Sequence, residues 1–416
     1  MPANRLYFGP RPTGSSVKIL YHHRTRSTDA QRIHIQEMIR AFEEIGHEVE
    51  VVSLVPTDAG QDDASRDAGD APWKSLVRRI PFAYEIVQLG YNLVGIPMLL
   101  RKIFHRKVDF IYERYSLFNF AGVVAARLCG KAFILEVNSP FALEQSRDKD
   151  IRLVRLAAWT ERVVCNAAGH VVVVSTPLQR IMVQAGVRAS RLAVMPNGVD
   201  LHKFKPQPAS AELRRSLGLD EAVVIGFVGW FRKWHGLELL LEAFHRSGLA
   251  ARNAKVLLIG DGQAMADLRN YVAAHDLKEH VIFTGPLTHA QVPPYLDLID
   301  IAVQPAANEY CCPMKILEYM ALGKPIVAPR QENIQDLLRE GEDALFFSPG
   351  DAVSMADALT NLVNNREEAA RIGRKGREAI VRRGYLWTEN ARKVLEMVKG
   401  SGRVCGDPAH QPTAHQ

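Results

Sequence analysis

Short apolar segments, each followed by a stretch of helical periodicity, recur along this chain in two series. We predict strands of the first series at residues 17–21, 47–54, 109–112, 132–137, 170–174 and 192–195. Strands of the second series are predicted at residues 223–228, 256–259, 280–283, 299–303, 326–328 and 344–347. Apolar strands that alternate with helices form a parallel sheet covered on both faces. The pattern therefore predicts an α/β protein of two doubly wound, Rossmann-like domains that face one another across a cleft.

The two series are divided by a turn-rich segment at residues 196–200, which contains proline, asparagine and glycine. We place the N-terminal domain at residues 1–200 and the C-terminal domain at residues 201–385. A helix at residues 386–399 is predicted to cross back onto the N-terminal domain. The polar tail, residues 400–416, has the composition of a disordered terminus.

Net charge and cysteine content limit the classes of partner and the cellular compartment that we expect for this protein. The 416 residues carry a net charge of +6, which favours nucleotide phosphates, a lipid-phosphate acceptor or an acidic membrane surface. Lysine and arginine are spread out and no nucleic-acid-binding signature occurs, so we expect no nucleic acid partner. The five cysteines lack zinc-ligand spacing, which indicates reduced thiols. Residues 1–16 lack the form of a signal peptide, so we expect a cytoplasmic protein.

Three common catalytic motifs do not occur. No G-x-G-x-x-G opens the first βα turn, which disfavours dinucleotide redox chemistry. The sequence also has no Walker lysine motif and no G-x-S-x-G, which disfavours P-loop and serine-hydrolase chemistry.

The segment 73–107 is apolar and aromatic in its middle and basic at both ends. Two interpretations stay open: ordinary helices packed on the sheet, or a surface that docks on anionic lipid or a lipid acceptor. A membrane-spanning helix needs about 20 apolar residues, and Glu85, Gln88, Asn92 and Pro97 interrupt this run.

The stretch 308–325 lies between two predicted strands of the second series and indicates an anion-binding helix. We predict that the helix begins at Pro313, where a missing N–H costs nothing, and ends near Gly323. Its N-terminus follows the carboxyl end of a strand, where open α/β sheets bind phosphate groups. Lys315 and Glu318 are three residues apart and share one helix face. A cation beside a carboxylate suits a nucleoside-diphosphate sugar, which is anionic at one end and rich in hydroxyls at the other.

Five ordered motifs resemble those of one enzyme family. They are Pro-Asn-Gly-Val-Asp at 196–200, Gly-Phe-Val-Gly at 226–229, Leu-Ile-Gly-Asp-Gly at 258–262, Val-Ile-Phe-Thr-Gly at 281–285 and the stretch 309–325. From about residue 17 to 398 the chain resembles a retaining glycosyltransferase of family 4, the group 1 type, with the GT-B fold. The resemblance implies an acceptor-side N-terminal domain, a nucleotide-sugar-binding C-terminal domain and no metal or other cofactor.

The family's donor site uses two glutamates. Glu318 matches the second and would bind the donor ribose hydroxyls. The first usually lies eight residues earlier, where this chain has Tyr310, while Glu309 lies nine residues earlier. Glu309 is nevertheless the candidate for the sugar-contacting glutamate. The resemblance also implies donor contacts from Gly229, Gly285, Cys312, Pro313 and Met314.

Two cations expected by the family are replaced in this chain. Trp230 follows Gly229 where the family has arginine, and His235 precedes the next glycine where the family has lysine. Arg232, Lys233 and His235 are the available substitutes. Arg232 is the first choice, because a guanidinium can bind two phosphate oxygens at once, and Lys315 is a second phosphate candidate. The alternative for Arg232 is an exposed basic loop.

In the N-terminal half, Glu136 and Asn138 end a predicted strand at the cleft, where family members often carry histidine or aspartate. Asn138 can hydrogen-bond a sugar hydroxyl but cannot act as a base. Glu136 can act as a base if it faces the cleft, and otherwise it is a satisfied strand-end carboxylate. His34 is the family's early-helix histidine by position, or a plain core or surface histidine.

These observations lead to an expected function. A hexosyl or N-acetylhexosaminyl group would pass from a UDP- or GDP-sugar to a hydroxyl of a glycan or lipid-linked polysaccharide acceptor, at the inner face of the plasma membrane if residues 73–107 dock there. Two alternatives are a nucleotide-sugar epimerase and a non-catalytic nucleotide-sugar-binding paralogue in a polysaccharide-assembly complex.

Overall fold

Two parallel sheets organise the structure, a computed structural model that describes residues 16–25, 30–53, 82–147, 151–288 and 290–400. The first sheet contains β1 (Lys18–His22), β2 (Glu48–Val52), β3 (Phe110–Arg114), β4 (Ala132–Val137), β5 (His170–Val173) and β6 (Leu192–Val194). The second contains β7 (Val223–Val228), β8 (Ala254–Ile259), β9 (Val281–Phe283), β10 (Ile301–Val303), β11 (Ile326–Pro329) and β12 (Leu345–Phe347). The predicted fold class is confirmed.

The helices that link the strands cover the faces of both sheets. In the first half they are α1 (Ala30–Glu44), α2 (Ala83–Arg106), α3 (Ala121–Leu128), α4 (Phe141–Arg147), α5 (Val154–Ala167) and α6 (Thr176–Gln184). In the second half they are α7 (Ala211–Ser216), α8 (Leu237–Ser247), α9 (Met265–Ala274), α10 (Val292–Asp297), α11 (Met314–Ala321), α12 (Glu332–Gln335), α13 (Ala352–Asn364), α14 (Arg366–Arg383) and α15 (Trp387–Gly400).

The strand orders place a switch point in each sheet. The first sheet runs β2-β1-β3-β4-β5-β6 and the second runs β12-β11-β10-β7-β8-β9, with all pairs parallel. The chain leaves β7 toward one edge and returns to start β10 on the other side of β7. A crevice opens at such a point beyond the carboxyl ends of the strands, and ligands bind there. The residues that follow β7 and β10 are therefore the candidates for a ligand-binding site.

The C-terminal helix α15 packs against α1 of the first half. The ring of Trp387 meets the ring of His34 edge-on, with centroids 4.8 Å apart. Asn390 Nδ2 donates to the carbonyl of Pro196 at 2.8 Å. A Cβ atom at Gly198 would lie 2.3 Å from the backbone nitrogen of Trp387, so glycine lets the chain reach this contact. The helix thus returns to the first half of the chain.

All twelve strands occur with ends within two residues of their predicted positions. The donor-site helix differs in one respect, because Pro313 lies just before it rather than in its first turn. The φ of Pro313 is −69° and its ψ is 112°, an extended conformation, and the helix begins at Met314. The N–H groups at the start of the helix have no acceptor one turn earlier in the helix, although that of Ile316 donates to the carbonyl of Pro313 at 3.2 Å.

The segment predicted either to pack or to dock on lipid forms one long helix, α2, over the residues that the structure describes. Residues 73–81 and the tail, 401–416, lie outside those described. Across the described ranges no helix combines the length and the apolarity that a bilayer crossing requires.

Candidate active site

The switch point of the second sheet brings a glycine and a lysine together. Gly229 follows β7 with a φ of +139°, in the region that glycine tolerates best. A Cβ atom there would lie 3.0 Å from Lys315 Nζ, on α11. Glycine at this position therefore leaves room for the lysine to approach the strand end.

The ammonium group of Lys315 contacts two aromatic rings and forms no ion pair with a carboxylate among the described residues. Its Nζ lies 3.9 Å from the centroid of the Phe227 ring and 3.4 Å from His235 Nε2. Burial and the nearby Lys315 charge lower the pKa of His235 to about 3, so the imidazole is neutral at pH 7. Burial lowers the pKa of Lys315 to about 7, although Glu318 opposes this shift. An arriving phosphate would favour the charged lysine.

Glu318 is half-buried one helical turn from Lys315. Burial raises the pKa of Glu318 to about 7, Lys315 lowers it, and Glu37 on α1 raises it further. Glu37 is itself paired with Lys203. Sequence reasoning missed Glu37, although it lies three residues after His34 and so shares its helix face. Helix α1 therefore contributes charge to the second half's donor helix.

The loop before α11 is anchored to both halves of the chain. Asn333 Nδ2 donates to the carbonyls of Asn308 at 2.9 Å and Cys311 at 2.8 Å. Ser175 Oγ donates to the carbonyl of Tyr310 at 2.7 Å, and the Tyr310 hydroxyl donates to Glu144. These bonds cross from the second half to α4 and the start of α6.

Glu309 and Tyr310 have different surroundings. Glu309 is exposed and makes no hydrogen bond or ion pair with any described residue. The structure therefore does not bring Glu309 together with Lys315 and Glu318 through any contact. Tyr310, at the position where the family carries its first glutamate, is instead part of the contact between the halves.

Cys312 connects the turn at 196–200 to the start of α11. The backbone N–H of Asn197 donates to Cys312 Sγ at 3.3 Å, and Asn197 Nδ2 donates to the Cys312 carbonyl at 2.7 Å. Burial raises the pKa of Cys312 to about 12 and that of Cys311 to about 11. Both thiols are protonated at pH 7, which fits packing rather than nucleophilic roles. Met314 packs with the apolar cluster of the first half.

Arg232 lies on the loop after β7, beside the imidazole that contacts Lys315. The backbone N–H of Arg232 is 3.5 Å from His235 Nδ1, and Arg232 is half-buried. Its neighbours Trp230 and Trp234 are 44% and 43% exposed, which places this loop at the rim of the crevice. Gly285, the remaining candidate, has a φ of +75° and forms a bridge with Gly260 beyond β8 and β9.

Glu136 is the centre of a buried network at the end of β4. Arg114 Nη1 donates to its Oε1 at 2.8 Å, Tyr112 donates to its Oε2 at 2.6 Å, and Asn138 Nδ2 also donates to Oε1. Burial raises the pKa of Glu136, but His34, Arg114 and the hydrogen bonds from Tyr112 and Asn138 outweigh it and lower the pKa overall.

A carboxylate held in this way is a poor proton acceptor at neutral pH. We therefore revise the expectation for Glu136, because side chains satisfy its oxygens on every side. Asn138 is occupied by Glu136 through its nitrogen, while its Oδ1 is buried without a hydrogen-bond partner among the described residues. That free oxygen can accept from a sugar hydroxyl.

No group of three or more histidine, cysteine, aspartate or glutamate side chains within the described ranges is arranged to hold a metal ion. Lys315, Arg232 and the N-terminus of α11 contribute positive charge at the crevice.

Comparisons with known proteins place the chain among sugar-transferring enzymes. Residues 31–203 match the family model "Glycosyltransferase Family 4", and residues 222–365 match the model "Glycosyl transferases group 1". The UDP-Gal:alpha-D-GlcNAc-diphosphoundecaprenol alpha-1,3-galactosyltransferase of Escherichia coli is 26% identical over 349 residues, which are 81% of this chain and 85% of that relative. The alpha-D-kanosaminyltransferase of Streptomyces kanamyceticus is 26% identical over 251 residues, 58% of this chain and 64% of the relative.

A solved structure shares the fold. The crystal structure of Anabaena HepE in complex with UDP has a TM-score of 0.69 and 18% identity, and the match covers 92% of this chain and 100% of that chain. The two family models together span both halves of the molecule. The chain belongs to the family 4, group 1 glycosyltransferases, and it is a transferase with the GT-B fold.

Proposed function

We propose that this glycosyltransferase retains the anomeric configuration and moves a hexosyl or N-acetylhexosaminyl group from a UDP- or GDP-sugar to a hydroxyl of a glycan acceptor. The observation that carries the proposal is the placement of Lys315 and Glu318 on the first two turns of α11, at the switch point of the second sheet. One end of this helix suits a diphosphate and the adjacent carboxylate suits a ribose.

The donor would lie with its diphosphate against Lys315 and the N-terminus of α11, directly after Pro313. Arg232 would contact the same phosphates from the rim, and neutral His235 would position the lysine. Glu318 would accept hydrogen bonds from the ribose hydroxyls, and Gly229 keeps the approach open. Glu309 stays a candidate for the sugar end only if the exposed loop side chain turns inward on donor binding.

In the reaction, the bond between the sugar's anomeric carbon and the diphosphate oxygen breaks, and the diphosphate takes the bonding electrons. The acceptor oxygen forms a bond to the same face of that carbon, and its proton passes to a departing phosphate oxygen. Lys315 and Arg232 stabilise the charge that develops on the leaving group. No protein base is required, which agrees with the satisfied carboxylate of Glu136.

We further propose a lipid-linked acceptor and attachment at the inner face of the plasma membrane. The Escherichia coli relative is named for a diphosphoundecaprenol acceptor, which supports an acceptor of this class. Exposed apolar side chains follow one side of α2: Ile86, Val87, Leu93, Val94 and Phe104. Exposed Arg101, His105 and Lys107 lie toward its C-terminal end. This combination suits an anionic lipid surface.

An acceptor-dependent assay tests the proposal. The protein is incubated with each common UDP- and GDP-sugar, with and without a membrane lipid extract, and release of the nucleoside diphosphate is measured. Release that needs both the sugar nucleotide and the extract supports glycosyl transfer. Donor turnover without any acceptor would support the epimerase, and binding without turnover would support the non-catalytic paralogue.

A further inference from the structure

A second cavity lies at the end of the first sheet opposite the cleft. It has a volume of about 530 Å³ and opens where β4 and β5 begin. The residues that define its character are Arg127, Lys131, His170, Arg188 and Arg191. Glu136, near the far end of β4, lies four residues after Ala132 and therefore roughly 13 Å from it at about 3.3 Å per residue. The cavity therefore opens at the opposite end of the first sheet from the network around Glu136, and none of its lining residues belongs to the second half, which holds the donor site.

The cavity wall carries positive charge without a counter-charge. The cavity is lined by the cations Arg127, Lys131, Arg188 and Arg191, and its lining contains no aspartate or glutamate. Among the described residues none of these four cations forms an ion pair, whereas exposed cations elsewhere, such as Lys18 and Arg246, pair with glutamates. A concave wall of a single charge sign concentrates ions of the opposite sign.

Two of the guanidinium groups are fixed in place by neutral acceptors. Arg188 donates through Nη2 to the carbonyl of Asn166 at 2.7 Å and through Nε to Asn166 Oδ1 at 3.2 Å. Arg191 donates through Nη1 to the carbonyl of Gly169 at 2.9 Å. These bonds orient the groups without cancelling their charge, and each guanidinium has further N–H donors. An oriented, uncompensated guanidinium pair is suited to phosphate oxygens.

We propose that this cavity is a second anion site, which binds a phosphate group of a ligand other than the sugar donor. Its volume exceeds that of a lone phosphate and falls within the range of small-molecule sites. The phosphate could belong to a soluble phosphate ester or to an anionic lipid headgroup. Exposed Leu128 follows Arg127 directly, and exposed Trp159 and Val163 lie on α5, which ends at the cavity.

The test uses a variant that removes charge without removing structural bonds. Arg127 and Lys131 make no side-chain hydrogen bond with a described residue, so Arg127→Ala combined with Lys131→Ala should fold normally. The matched control combines Arg366→Ala with Arg374→Ala, which removes the same charge from exposed positions on α14. A single Lys131→Glu variant provides a second version of the change if the double variant fails to fold.

Two probes separate the sources of phosphate. Calorimetry measures binding of inorganic pyrophosphate in the presence of excess UDP and GDP, which compete for the donor site. It also measures binding of monomeric dihexanoyl phosphatidylglycerol, with dihexanoyl phosphatidylcholine as the neutral comparison. The proposal predicts at least a tenfold loss of affinity for one probe in the Arg127/Lys131 variant and none in the control. Loss for pyrophosphate indicates a soluble ester, and loss for phosphatidylglycerol alone indicates a headgroup. Equal affinities in all proteins, or no binding of either probe by the wild type, would overturn it. Neither readout depends on glycosyl transfer, so this site and the proposed reaction can fail separately.

Discussion

Among single residues, Lys315 and Glu318 are the two on which the proposed donor site depends most. Both side chains are partly buried, and burial together with the opposing effect of the other residue's charge brings the pKa of each to about 7. A bound diphosphate would restore full charge to the lysine, while ribose hydroxyls would satisfy the carboxylate. Donor binding is thus expected to favour the charged forms of both side chains.

Replacing Glu318 with glutamine should lower transfer strongly while the fold is kept. A hydrogen bond to a charged acceptor is worth about 1.5–3 kcal/mol, so we expect a loss of about tenfold to a hundredfold in kcat/KM. Steady-state kinetics measures the change, and Glu340→Gln, at an exposed carboxylate of the second half, is the control. Rates equal to the wild type would remove Glu318 from the site.

Affinity for the free nucleoside diphosphate should fall as the pH rises. Lys315 is charged below its pKa of about 7 and neutral above it, whereas a phosphate prefers the charged amine. Binding above pH 7 therefore requires proton uptake, and affinity should drop by up to about tenfold per pH unit. Calorimetry between pH 7 and pH 9 measures the slope.

The variant Lys315→Met is the comparison for that measurement. It should bind weakly at every pH and lack the decline, because its side chain does not titrate. Glu318→Gln separates the titration of the neighbouring carboxylate from that of the lysine. An unchanged slope in Lys315→Met would show that another group is responsible.

At the scale of elements, α11 depends on contacts that reach it from distant parts of the chain. Asn197 holds the backbone of Cys312, and Asn333 holds the loop through Asn308 and Cys311. The identity of the helix was predictable from Pro313 and Gly323, because capping chemistry is local. The partners of the loop were not, since they lie in segments far away in sequence.

Removing the Asn197 side chain should loosen this attachment. Asn197→Ala deletes a buried hydrogen bond of 2.7 Å to the Cys312 carbonyl. We expect a loss of about 1–3 kcal/mol in the free energy of unfolding, together with a higher KM for the donor. Chemical denaturation and kinetics measure the two effects. Asn166→Ala, at a position outside the cleft, should leave the KM unchanged.

Helix α2 gives a second prediction at this scale. Leu93 and Phe104 are 81% and 72% exposed, so their replacement by serine should reduce binding to anionic vesicles without destabilising the protein. Serine at Val353 and Val381, which are exposed in the second half, is the matched control. Sedimentation with vesicles across a salt series measures binding, and equal binding by both double variants would favour plain solvent exposure of this face.

At the scale of the whole molecule, the two halves meet through charged and polar contacts around the crevice. Lys203 pairs with Glu37, and Thr176 contacts Asp336 through both its backbone nitrogen at 2.7 Å and its hydroxyl at 2.9 Å. Tyr310 adds the bond to Glu144. These contacts bring α1 close to α11, so acceptor-side charge acts directly on the donor helix.

The sequence allowed the twelve strands and both sheets to be predicted, because buried parallel strands are short apolar runs that show in the sequence itself. It did not allow the role of Glu136 to be settled. The partners of Glu136 come from α1, β3 and the turn after β4, so its low pKa is a property of the assembled sheet. The contact between Lys315 and His235 could not be predicted either, because it joins residues that are far apart in sequence and meet only in the folded protein. Each residue was a candidate only by itself.

The stereochemistry of transfer is the most direct test of the proposed retaining glycosyl transfer. Proton NMR follows the anomeric signal of the donor sugar in real time, with the donor and the acceptor found in the nucleotide-sugar screen. We expect nucleoside diphosphate to be released only with acceptor present, and the first product to have the anomeric configuration of the donor. A first product of inverted configuration, or turnover of the donor in the absence of acceptor, would contradict it.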